Sequence, residues 1–73
     1  MMTLKLQHGM RELSREFPVG STVRDVTRDA TVRAALGLPE NVQAVVNGRT
    51  LSPNDVLDGE DVVIFERQQA SKA

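Results

Sequence analysis

Asp55, Asp58, Glu60 and Asp61 place four carboxylates within seven residues, the sort of oxygen-rich stretch that can hold a divalent cation. A calcium loop of the helix–loop–helix type needs twelve residues with ligands at set positions and a closing bidentate glutamate, and this run has neither. It reads as a solvated turn. His8 is the one histidine, and it stands beside Gly9 without a carboxylate nearby in sequence. One imidazole alone makes neither a metal site nor a general base with a partner. Ser14, Ser21, Ser52 and Ser71 lack an adjacent base and an oxyanion loop, and no glycine-rich phosphate loop is present. The residue types therefore point away from catalysis, and no cofactor or metal is expected.

The composition narrows the class further. With 73 residues, of which 40% are hydrophobic, the chain can build one small core. Nine basic against ten acidic side chains give a net charge of −1, without the basic excess that nucleic acid or an anionic membrane selects. Cysteine is absent, which removes disulfides, thiolate metal sites and a thiol nucleophile. The start "MMTLKLQHG" is not a secretion signal, and no apolar run approaches the roughly 20 residues of a membrane span. The chain reads as soluble and cytoplasmic, a monomer when free.

Hydrophobic periodicity then orders the elements. Met2, Leu4 and Leu6 alternate with Thr3, Lys5 and Gln7, the period of a half-buried strand. A turn at His8-Gly9 would return the chain as a second strand from Met10 to Phe17, with Leu4 opposite Leu13 and Lys5 opposite Glu12. Arg15 shares the parity of Leu13 and Phe17, so a bulge or a side chain snorkelling at the sheet edge must accommodate it. Ser21 or Thr22 caps a helix with Asp25 in its first turn and Val23, Val26 and Ala30 inward. Thr27 and Thr31 make one helix to Leu36 and a second short turn over Ala30 to Leu36 equally acceptable, before Gly37 and Pro39. "NVQAVVNGRTL" is a hairpin about Asn47-Gly48, and Val56 and Leu57 are expected to plug the core from the following loop. "DVVIFER", apolar at both parities from Val62 to Phe65, is an interior strand.

This order places the last strand parallel to the first and leaves helical cover on one face. The expected fold is α+β: a mixed four- to five-stranded sheet with one main helix across one face, in residues 1–67, followed by a tail over 68–73. The arrangement is the β-grasp. In "GSTVRDV", "VVNGRTL" and "VLDGEDVVIF" the chain resembles ubiquitin, and more closely the small sulfur-carrier proteins of thiamine and molybdopterin synthesis. The resemblance covers essentially the whole chain. It implies a C-terminal Gly-Gly activated by an adenylating enzyme, since a backbone without side chains is what threads the narrow tunnel to the nucleotide. Here the chain departs: after Phe65 it reads "ERQQASKA", and Gly59 is the last glycine.

Two readings follow. The first is a non-enzymatic ubiquitin-like module that binds a protein partner through the uncovered face of its sheet, with Val45, Val63, Phe65 and Arg67 as the candidate contact residues, unless Phe65 instead closes the edge of the core and the valines only satisfy strand propensity, and with the tail, Ser71, Lys72 and Ala73, as an accessory segment. On this reading Phe65→Ser or Val63→Asp removes binding and spares the fold. The alternative is a carrier or protein modifier activated at an unconventional C-terminus, Ala73. Nucleic acid is not the expected partner: the arginines at 11, 15, 24, 28, 33 and 49 are interleaved with acidic residues, and there is no Tyr or Trp and only two Phe for stacking on bases.

Overall fold

The computed structural model describes residues 1–67. Strands β1 (Met2–His8) and β2 (Arg11–Phe17) form the first hairpin. Two helices follow, α1 (Val23–Thr27) and α2 (Ala30–Leu36). Strands β3 (Val42–Val46), β4 (Arg49–Leu51) and β5 (Val62–Arg67) come next. The five strands make one sheet in the order β2-β1-β5-β3-β4, with β1 and β5 parallel and the other pairs antiparallel. This is the α+β β-grasp architecture.

The two hairpins are settled by which residues tolerate a positive φ. Asn47 and Gly48 sit at φ 52° and 80°, both left-handed, as a two-residue type I′ turn requires, and Val46 pairs Arg49 across it. The first hairpin differs from the sequence reading. Its loop is Gly9-Met10, one residue later than His8-Gly9, so Leu4 faces Arg15 and Lys5 faces Ser14. A loop at His8-Gly9 of the same I′ type would force His8 to a positive φ. Moving the loop leaves only Gly9, at 61°, in that region, and His8 stays in the strand. The register moves by two residues, so every side chain keeps its face.

Arg15 accordingly points to the helix side of an edge strand, and the pairing of β2 runs without a bulge. Its guanidinium Nε reaches Asp29 Oδ1 at 3.6 Å. Snorkelling over the edge of the core is thus how the chain accommodates it.

Of the two helical readings, the structure takes the second, with α2 a separate short helix over Ala30–Leu36. Thr22 and Asp25 form a capping box at the start of α1, with Thr22 N donating to Asp25 Oδ2 at 2.9 Å and Asp25 N to Thr22 Oγ1 at 3.3 Å. The Thr27 hydroxyl then donates back to the Arg24 carbonyl, and Asp29 adopts an extended φ, ψ of −69°, 121° and caps α2 by accepting from Val32 N at 3.0 Å. The break changes the helical phase. Val32 and Leu36 enter the core, and Ala30, expected inward, is exposed.

Asp29→Ala should therefore remove both the α2 cap and the contact to Arg15. Caps are worth about 1 kcal/mol and an ion pair this exposed adds little, so the expected loss is about 1–2 kcal/mol by urea denaturation. Asp29→Asn, which keeps a capping oxygen, should lose only a few tenths.

Leu4 and Leu6 of β1, Val63 and Phe65 of β5 and Ala44 and Val46 of β3 make the floor of the core. Val26, Val32 and Leu36 cover it from the helices. Of the two loop residues expected to plug it, only Leu57 is buried; Val56 is 63% exposed and contributes a bridge to Thr22 instead. The loop is stitched to the start of α1 by Val23 N donating to the Asp55 carbonyl and Arg24 N to the Pro53 carbonyl, both at 3.0 Å. Those bonds satisfy amides that a helix start leaves free.

Candidate functional site: the open face of the sheet

Both helices lie on one side of the sheet, so the residues of opposite parity face outward. The pairing aligns them in rows across the strands. One row runs Glu12, Gln7, Ile64, Val45, Thr50, from β2 to β4. Val62 stands two residues before Ile64 on β5, beside Lys5 of β1. Ile64 and Val62 are 38% and 39% exposed and Val45 is half-buried, which makes a flat apolar centre in the middle of the sheet.

Of the contact residues read from the sequence, Val45 alone is placed on this face. Val63 and Phe65 are 0% and 1% exposed and point into the core, where Val63 lies opposite Leu6 and Phe65 opposite Ala44 and His8. The correction is one of parity: in "VVIF" either alternate pair can be the buried one, and the parallel register with β1 decides it. A signal was present nonetheless. Phe65 is the largest of the four, and burying it removes the most apolar surface from water, which puts Val63 inside with it and Val62 and Ile64 outside. Arg67 is exposed at the end of β5, opposite Val42, with the parity of the core residues. It stands at the rim and off the open face. Ser71, Lys72 and Ala73 lie outside the described residues.

The groups that suggested chemistry are occupied with structure. His8 Nδ1 lies 2.8 Å from the Leu36 carbonyl, and because a carbonyl only accepts, Nδ1 carries the proton and donates. That bond ties the end of α2 to β1. Asp55 Oδ2 accepts from Ser52 N at 2.7 Å, Asp58 Oδ1 from Glu60 N at 3.1 Å and Asp61 Oδ2 from Asp58 N at 3.3 Å, so each aspartate builds its own turn. The Ser21 hydroxyl donates to the Pro18 carbonyl at 2.7 Å. A concavity of about 540 Å³ lies at the far end of the sheet between Met2, Val19, Val56 and Leu57, and Asp58, already hydrogen-bonded, is its one titratable residue. No helix among the described residues is long and apolar enough to cross a membrane.

No family model matches the chain, and no curated protein matches it. Among solved structures it is similar to one described as "Molecular Mimicry of SUMO promotes DNA repair". The two share 29% identity over 89% of each chain, with a TM-score of 0.67. Strand order, helix placement and this likeness together make the chain a ubiquitin-like β-grasp domain.

Proposed function

We propose that the chain is a non-enzymatic interaction module that binds a protein partner through the open face of its sheet, centred on Val45, Val62 and Ile64. The observation that carries the reading is the meeting of these three apolar side chains on the sheet face that neither α1 nor α2 covers. Apolar side chains clustered on an otherwise polar surface mark sites where a partner excludes water. The likeness to a protein described as a SUMO mimic supports a role exercised through surface shape.

The test compares proteins recovered from the chain's own cells with the native chain, with Ile64→Asp and with Val56→Asp at the far end. Recovery of the same partner should fall at least tenfold with Ile64→Asp and stay unchanged with Val56→Asp, because a charge at the centre of a contact costs about 2 kcal/mol or more. The reverse pattern would move the site to the other end. The intact mass of the recovered chain tests the carrier alternative: sulfur gained at Ala73, or an isopeptide link from it, would replace the binding module with a working carrier.

A further inference from the structure

The net charge of −1 conceals a separation of charge between the two sides of the sheet. On the helix side stand Arg24 and Arg28 at α1, Arg33 on α2, and Arg11 and Arg15, which lean from β2 toward the Ala35 carbonyl and Asp29. Among the helices with their caps and the core-parity residues of β2, five guanidinium groups stand against two carboxylates, Asp25 and Asp29, and Arg49 and Arg67 share that parity opposite Val46 and Val42. The open face has the opposite sign. Glu12, Glu16 and Glu66 carry its parity, paired with Gln7, Thr3 and Gln43, and Lys5 is the one cation of that parity among the described residues, for a formal charge of −2.

These carboxylates are close enough to matter at the apolar centre. Strands lie about 4.8 Å apart and alternate residues about 6.6 Å along a strand, which puts the Glu12 backbone roughly 10 Å from that of Ile64 and Glu66 nearer still. That is about one Debye length at physiological salt. An acidic partner would set like charges against Glu12 and Glu66, and a phosphate backbone would be repelled from the same face.

We infer that the open face takes a protein surface with an apolar centre and a rim of lysine or arginine. The inference rests on the proposed role of that face and adds the partner's chemistry to it. Rim charges of this kind steer encounter and select partners, so their signature is salt dependence and discrimination by sign.

The experiment titrates two amphipathic helical peptides of identical leucine face, one with a lysine rim and one with a glutamate rim, into the isotope-labelled full chain. Amide shifts are followed by NMR. The lysine peptide should perturb β1, β5 and β3 around Val45, Val62 and Ile64. It should bind at least tenfold more tightly than the glutamate peptide and weaken about tenfold from 50 to 500 mM salt. The exposed triple change Glu12→Lys, Glu16→Lys, Glu66→Lys, with a preserved amide spectrum, should reverse the preference.

Equal binding of both peptides, lost together with Ile64→Asp, would overturn the charge inference and leave the binding face standing. No perturbation of the sheet by the lysine peptide, or perturbation confined to residues 55–61, would also overturn it. Sedimentation showing concentration-dependent self-association that Ile64→Asp and Arg28→Glu each abolish would support it, with the arginine-bearing side of a second copy as the basic surface.

Discussion

Val63→Asp should abolish cooperative unfolding altogether, and Ile64→Asp, one residue later, should leave a folded domain of nearly unchanged stability. Val63 is 0% exposed and packs opposite Leu6 in the middle of the floor of the core. A carboxylate there loses its hydration without a cation or donor to replace it, at a cost of several kcal/mol on top of the lost methyl packing. At 0.05–0.15 kcal/mol per residue, a domain of this length has roughly 4–11 kcal/mol of total stability, so one such group consumes most of it. Ile64 is 38% exposed, and an aspartate there keeps its water. Urea unfolding followed by circular dichroism, with the dispersion of the amide spectrum, separates the two. A Val63→Asp variant that unfolds like the native chain would show that β5 is placed with the wrong face inward. The expectation that this substitution spares the fold is reversed by the same burial, and Ile64→Asp takes its place as the probe of binding.

Phe65→Ala is the second large effect, expected at about 3–5 kcal/mol. Phe65 is 1% exposed and faces Ala44 and His8 from the neighbouring strands. Ala44 offers a methyl group and nothing that can swing into the space. His8 is held by its bond to the Leu36 carbonyl. The cavity therefore stays open, and the cost falls at the upper part of the range for such changes. Phe65→Leu, which fills most of the volume, should cost less than about 1.5 kcal/mol. The check is the urea midpoint: it should drop by about half with Phe65→Ala while the slope is unchanged. A loss under about 1 kcal/mol would mean the site collapses freely, which contradicts the packing around Ala44.

Both predictions turn on one residue step along β5, where alternation is silent and only the size of Phe65 points to the buried face. Alternation in "TLKLQ" is enough to put Leu4 and Leu6 inside, because polar neighbours leave one choice. Asn47-Gly48 is enough for its turn, because those two residues tolerate the left-handed region. Thr22 and Asp25 announce the first helix by their spacing alone. At His8-Gly9 a glycine can serve at either loop position, and the strain on His8 is what chooses. The break between α1 and α2 is not legible locally for a similar reason: Asp29 is an ordinary polar residue of a continuous helix until its carboxylate turns to cap Val32.

Local chemistry thus specified the strands, the Asn47-Gly48 turn and the first cap, because each depends on residues within a few positions of one another. The face of β5 that is buried, the seat of Arg15 on Asp29, and the gathering of Val45, Val62 and Ile64 depend on pairings between strands far apart in the chain. So does the charge. Arginines and glutamates that alternate along β2 cancel in the sequence, and only a sheet with helices on one side sends them to opposite surfaces, where their fields no longer cancel.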